Sequence, residues 1–222
     1  DDLDGLGVGD EAATQLKEIL DDDPSQANAA ILLGSILERN GREDELVELL
    51  SSQLEAARDR EDEGAIVSLS KRLGALLEAR SPEGAKDVYR RMLDFKPDDR
   101  DVLEALARLC AASGDTREQA EALERVLHSA TDREAERLAL EVGGLFKELE
   151  DSERARAAFE RGFAAYPQSH KLRTELETSY RETHAWEKLA NMYEIEAGAQ
   201  TSAERKVAVL RLAAAVYRDE LR

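Results

Sequence analysis

The residues able to do chemistry are few and scattered. Three histidines, His128, His170 and His184, stand far apart. None has a second histidine or a cysteine three or four positions away, the spacing that puts two zinc ligands on one helix face. Asp132 and Glu187 fall at such offsets, but one imidazole and one carboxylate are too few ligands for a site. Asp2, Asp4, Gly5 and Glu11 match part of a calcium-loop spacing. Against that, the first ligand position would precede residue 1, Gly7 replaces the usual apolar residue, and no entering helix is present. Cys110 is the single cysteine, which excludes an internal disulfide and a cysteine-rich metal site. It falls on an apolar helical face, as a buried inert thiol does. No G-x-S-x-G turn and no phosphate-cradling glycine loop occurs. Carboxylates such as Glu153 and Glu160 flank Arg156 at helical spacing and read as solvated ion pairs. No catalytic constellation, cofactor site or metal site is expected, so the remaining chemistry is recognition.

Composition narrows the partner. The formal charge is −18, from 49 acidic and 31 basic residues. A surface that acidic repels phosphate backbones, which argues against nucleic acid. Hydrophobic content of 42% suffices for a packed interior, while aromatics make up only 5%. Ala, Leu, Glu and Arg dominate, a helix-forming vocabulary whose Ala- and Arg-rich usage resembles bacterial proteins. No apolar run approaches the ~20 residues that cross a bilayer, and no signal-peptide profile opens the chain. A cytoplasmic location fits, with a leader removed before Asp1 left open.

The elements that would position any recognition surface repeat. Leu16, Leu50, Tyr89, Leu123, Phe159 and Tyr193 recur at spacings of 34, 39, 34, 36 and 34 residues. Each sits mid-helix on an apolar face, and Pro24, Pro97 and Pro167 close three of these helices. A fixed period of this length is the signature of a helical repeat array. The pattern predicts a flexible acidic linker over 1–10 and one second-type helix over 11–20. Five antiparallel helix pairs follow over 26–60, 63–95, 100–128, 133–165 and 171–197, then an unpaired first-type helix over 202–221. Asn40-Gly41 and Ser113-Gly114-Asp115 supply the reversals, with Asp115 or Thr116 as a helix cap.

These units resemble the tetratricopeptide repeat. Counting 34 ranks per unit, ranks seven and eight read Leu33-Gly34, Leu73-Gly74, Leu106-Ala107, Val142-Gly143, Leu176-Glu177 and Leu212-Ala213. Rank eleven reads Leu37, Leu77, Cys110, Phe146, Tyr180 and Val216. The large-small-large pattern matches the family's, whereas Glu177 is large and charged where a small residue is usual. Extra residues near 59–64, 128–135 and 200–205 also depart from it. The resemblance implies an all-α, right-handed superhelical α-solenoid of antiparallel helix pairs. It also implies a concave groove lined by the first helix of each pair, mainly through ranks two, five, nine, twelve and thirteen.

Those ranks hold eight basic residues against six acidic ones, a mildly basic groove in an acidic shell. Lys71, Arg108, Arg137, Lys147, Lys171 and Arg181 would form a track for an acidic or C-terminal peptide. Asn28, Thr174 and Thr178 could hydrogen-bond an extended backbone. The competing reading makes these cations ordinary solvated charges paired with nearby glutamates. The Lys and Asn spacing of chaperone-binding members is absent, since Ala75 follows Lys71 where Asn is needed. Tyr217, with Val207, Leu210 and Ala214, gives the last helix an apolar groove side, and its Leu212 and Val216 side calls for a cover. Further repeats or self-association through that helix would provide one. The leading expectation is a non-catalytic protein-interaction scaffold binding a peptide or partner protein in the groove. The alternatives are a regulatory or substrate-recruiting region of a larger enzyme, and a structural subunit self-associating through its terminal helices.

Overall fold

The computed structural model describes residues 3–24 and 26–221. Among them, all regular structure is helical: α1 (Leu3–Asp22), α2 (Ala27–Arg39), α3 (Glu43–Asp59), α4 (Glu63–Leu77), α5 (Pro82–Leu93) and α6 (Arg100–Ser113). There follow α7 (Thr116–Leu127), α8 (Asp132–Glu148), α9 (Ser152–Ala165), α10 (His170–Glu182), α11 (Trp186–Ala199) and α12 (Ala203–Asp219). One expectation differs. Residues 3–10, read as linker, belong to the first helix. The segment has no proline to bar a helix, and adding residues to an existing helix is far easier than nucleating one. Asp1 and Asp2 lie outside the described residues.

The helix starts follow from local hydrogen bonding. Asp62, Ser81, Asp115, Asp151, Ser169 and Ser202 each turn a side-chain oxygen onto a backbone N–H of the first helical turn. At the start of α5, Pro82 occupies a position whose N–H has no helical partner in any case. Four of the five reversals within pairs share one left-handed residue at the same rank: Gly41 at φ 65°, Gly114 at 78°, Glu150 at 59° and His184 at 54°, while the α4–α5 reversal has none. In each, the N–H of the residue after the left-handed one reaches back to the rank-eleven carbonyl. Asp115 N to Cys110 O is 2.9 Å, Asp151 N to Phe146 O 2.8 Å and Ala185 N to Tyr180 O 2.8 Å. That bond satisfies a carbonyl the helix end would otherwise orphan. Glycine suits the position without strain. Glu150 and His184 hold it against their Cβ.

Two compact units divide the chain, Asp1–Val102 and Leu103–Arg222. In the first, each helix from α1 to α5 packs on the next. Leu33, Leu37, Leu46, Leu50, Leu54 and Ile66 are the middle of its core. In the second, α7 to α12 pack in the same sequential way, and α7 also meets α9, and α8 meets α10. Leu138, Phe146, Phe159, Leu172, Leu176 and Tyr193 are buried there.

Close approach within a pair depends on rank eight. A methyl group on Gly143 would overlap the Phe159 ring, and one on Gly74 would overlap the Tyr89 ring. Glycine at these points lets an aromatic side chain of the second helix pack directly against the first helix's backbone. Gly143→Ala is expected to lower stability by about 1–3 kcal/mol, since the ring must shift in a packed interior. The adjacent Gly144 meets nothing within 4 Å, so Gly144→Ala is expected to raise stability by about 0.5–1 kcal/mol through helix propensity. Denaturant unfolding of the two variants checks the contrast, and equal destabilisation by both would refute it.

Candidate functional site

In the second unit the first-type helices α8 and α10 pack on one another. Lys147 of α8 bridges to Glu175 of α10, and its ammonium also lies 5.1 Å from the centre of the Phe159 ring. Lys171, Thr174, Thr178 and Arg181 are exposed along α10, as are Arg137 on α8 and Arg108 on α6. Beside Lys147 and Thr178 lies a recess of about 170 Å³, walled also by Phe159, Glu175, Ser179 and Glu182. Helical spacing thus brings Lys147 and Thr178, from two different helices, to one concavity.

The other expected groove residues have local partners. Arg137 pairs with Glu141 one turn on, at 3.1 Å. The Arg181 charge acts on the Tyr193 phenol, opposing the rise in pKa that burial causes there. The Thr174 hydroxyl donates to the His170 carbonyl at 2.9 Å, and that of Thr178 to the Thr174 carbonyl at 3.0 Å. Both oxygens keep acceptor capacity, but their protons are engaged by the helix. Tyr217 is on the exposed side of α12, where Glu194 raises the phenol pKa. In the first unit, Asn28 is exposed on α2.

Lys71 turns out to be a fold-holding cation. Its ammonium lies 2.7 Å from Asp99 Oδ1 and 3.3 Å from Asp101. Asp99 is buried, receives Lys96 at 2.9 Å, and accepts the Val102 N–H at 3.4 Å. Burial by itself would push its carboxyl pKa up, but the hydrogen bonds from Lys71 and Lys96 hold it below the ordinary value.

A second ionic cluster escaped the sequence reading. Arg173 on α10 donates to Glu196 of α11 at 3.0 and 3.3 Å, and its Nε lies 3.2 Å from Glu177, too poorly aimed for a hydrogen bond. Burial raises the Tyr193 phenol pKa, and the nearby Glu177 charge raises it further. Burial pushes the Glu196 carboxyl up, with Arg173 opposing. The signal was there: Arg173, Glu177 and Glu196 replace apolar or small residues at three core ranks of one unit. Three coordinated charges at core ranks mean a buried ion cluster.

Two larger recesses lie between second-type helices. One, of about 250 Å³, is lined by Phe163, Ala164, Leu176, Tyr180, Met192 and Ile195 and rimmed by the 3.0 Å Lys188–Glu160 bridge. The other, of about 210 Å³ in the first unit, is rimmed by a Lys17–Glu45 bridge. Their linings occupy the same ranks, with the ion pair reversed in sense. They are seams that the repeat itself creates.

Cys110 is buried and donates to Glu118 at 3.2 Å. Cys110, Asp115 and Glu118 place a thiol and two carboxylates within 4.8 Å of one another. Asp115 is already the α7 cap, accepting the Glu118 N–H at 3.2 Å. His184 is the left-handed residue of its turn and meets Trp186 edge-on at 5.5 Å. Among the described residues, no helix is long and apolar enough to cross a membrane.

No family model matches the sequence, and no curated protein matches it. Solved structures do match. A chain of the Naa15/Naa10 complex bound to HypK-THB aligns with TM-score 0.50 and 18% identity over 96% of this chain and 32% of that one. A tetratricopeptide repeat protein from Parabacteroides merdae aligns at 0.43 and 16% over 96% and 95%. MamA aligns at 0.42 and 13% over 87% and 93%. Identities this low speak to fold alone: the fold is of the tetratricopeptide helical-repeat kind.

The two buried carboxylates predict opposite pH dependence. Asp99 has a folded pKa below its ordinary 3.8, so its ionisation contributes stability above that pH, lost as pH falls through the lower folded value. Asp99→Asn is therefore expected to lower Tm at neutral pH, by about 1–3 kcal/mol of stability through lost charged hydrogen bonds, with the deficit closing in acid. Glu196 has a folded pKa above its ordinary 4.5, so its contribution is present below that pH and lost as pH rises through the folded value. Glu196→Gln is expected to match the parent in acid and exceed it at neutral pH. Thermal melts at both pH values decide, and deficits of the same sign at neutral pH would contradict this account.

Proposed function

We propose that this chain is a non-catalytic protein-interaction scaffold, and that the α8–α10 surface of its second unit takes an extended segment of a partner protein. The observation that carries the reading is the recess where Lys147 and Thr178 meet. Lys147 of α8, Ser152 and Phe159 of α9 and Glu175 and Thr178 of α10 wall it, so a strand-like peptide crossing from α8 to α10 touches backbone-facing hydroxyls and a cation together. A peptide carboxylate there would compete with Glu175 for Lys147, while Lys171 and Arg181 extend the positive line along α10. Glu175 and Glu182 on the same walls favour a partner segment of mixed charge over a uniformly acidic one.

The cations Lys71 and Arg137 are poor handles for a test, because the first holds a buried carboxylate and the second pairs within its own helix. Lys147→Glu combined with Lys171→Glu is expected to weaken partner affinity about tenfold or more, the scale of one or two lost charge-assisted hydrogen bonds. A photo-crosslinker at Thr178 is expected to label the partner, whereas one at Arg125 of α7 is not. Undiminished affinity in a double variant with a parental circular dichroism spectrum, or labelling from Arg125 alone, would overturn this reading.

A further inference from the structure

The recess beside Lys147 and Thr178 holds a guanidinium that the chain itself leaves unengaged. Arg156 of α9 lines it together with Ser152 and Ser179. Spacing along α9 makes Glu160 its natural partner, one helical turn on. Yet Arg156 Nε stands 4.0 Å from Glu160 Oε1, at the outer limit of an ion pair. That oxygen is already taken. It accepts the Tyr180 hydroxyl at 2.9 Å and the Lys188 ammonium at 3.0 Å, both of which line the neighbouring recess between second-type helices. Among the described residues, no other carboxylate comes within 4.0 Å of the Arg156 guanidinium.

Comparable arginines behave differently. Arg42, Arg58, Arg154 and Arg173 are half-buried like Arg156, and each holds a carboxylate at 3.0 Å or closer. A half-buried guanidinium has given up part of its hydration, and the Arg156 donor fork gets no protein acceptor in return. Lys147, the other cation of the recess, is engaged by Glu175 and by the Phe159 ring. The carboxylates are as unequal. Glu175 is held by Lys147, whereas Glu182, one turn beyond Thr178 on α10, has no ion-pair partner among the described residues.

Two features select what enters. An arginine fork matches a carboxylate through two parallel hydrogen bonds. Glu175 and Glu182 on the same walls oppose a doubly charged group such as a phosphate, while one negative charge is balanced by Arg156. Ala155 and Phe159, which are buried, give the recess an apolar base that suits the methylenes of an acidic side chain.

We infer that Arg156 is the specificity-determining residue of this surface and takes an aspartate or glutamate side chain of the partner segment. Unlike Lys147, it has no carboxylate of the chain to surrender when that side chain arrives. The Ser152 and Ser179 hydroxyls are placed to donate to the same group. Alternate side chains of an extended segment point the same way, so a lysine or arginine two residues from the acid meets Glu182. The inference rests on the α8–α10 surface being the partner site, and adds the chemistry that enters it and the residue that reads it.

Selection of short randomised peptides on the 222-residue chain, followed by titration of the retained peptides in C-terminally amidated form, tests it. Retained peptides are expected to carry an acidic residue with a basic one two positions away. Changing the acid to its amide is expected to weaken binding about tenfold or more, the scale of a lost charge-assisted pair. Arg156→Gln is expected to cause the same loss with an unchanged thermal melt. The two changes together are expected to cost no more than either alone, because they remove one interaction. Arg156→Lys, which keeps the charge but not the fork, is expected to recover only part of the affinity. Peptides that label from a photo-crosslinker at Thr178 and weaken with Lys147→Glu, yet show additive losses for the acid and Arg156, would overturn the inference and leave the surface standing. Binding lost on amidation would overturn it too, since the carboxylate would then be a chain end. Peptides retained elsewhere on the chain, or none retained, would overturn both.

Discussion

The approach of two helix backbones at rank eight is the constraint on which the rest of the structure depends. Where the residue is glycine, the partner helix can set an aromatic ring directly on it, as Phe159 does at Gly143 and Tyr89 at Gly74. Where it is alanine, as at Ala107, the corresponding residue is the smaller Leu123. These three pairs keep a similar combined volume, as dense packing requires, whereas Gly34 stands opposite Leu50 and an added Cβ there would meet nothing closer than 3.4 Å. Such compensation explains why a repeat with little strict identity between units still stacks in register. Tyr89 completes its fit by donating its hydroxyl to Glu78 at 2.8 Å, and Tyr180 does the same to Glu160 at 2.9 Å. The phenols therefore bury their rings without stranding a donor.

One unit breaks this rule and shows what the exception requires. Glu177 stands at rank eight opposite Tyr193, where no glycine makes room. The carboxylate meets the phenol instead, and Arg173 and Glu196 are recruited around it. Removing ions from water is costly unless each finds a partner, and here two carboxylates share one guanidinium. Burial is the main reason the Glu196 pKa is raised, with Arg173 opposing it and the Glu177 charge adding a smaller push. A charge cluster of this kind is poor evidence for stability, but it gives the α10–α11 pair a polar interior.

Charges also stitch neighbouring units at a fixed register. Lys17 meets Glu45, Arg154 meets Glu124 at 2.5 Å, and Lys188 meets Glu160 at 3.0 Å, each between equivalent positions of successive second-type helices. The sense of the pair reverses along the chain while its place does not. Half-exposed pairs of this type contribute about 0–1 kcal/mol each, so their effect falls on which surfaces match rather than on net stability. The same habit engages Lys71, Arg137 and Lys147 with carboxylates of the chain itself. A basic track counted from sequence is therefore much less available than its charge suggests.

Helix identity, hairpin pairing and the repeat period were legible in the sequence because they rest on local periodicity. A Leu or aromatic anchor every 34 to 39 residues, capped starts such as Asp115, and reversals such as Asn40-Gly41 involve neighbours in the chain. The left-handed turns at Glu150 and His184 were hidden, since a non-glycine residue there is imposed by the packing of the helices on either side. The helical state of residues 3–10 was likewise missed, because three glycines outweigh context when a segment is read by itself. Tertiary structure alone decided which charges are available: Lys71 faces a buried aspartate 28 residues away, and no spacing rule distinguishes it from Lys171. It alone showed Arg156 without the close carboxylate that its spacing from Glu160 implied, because an ion pair is a property of what lies opposite a residue and not of the residue.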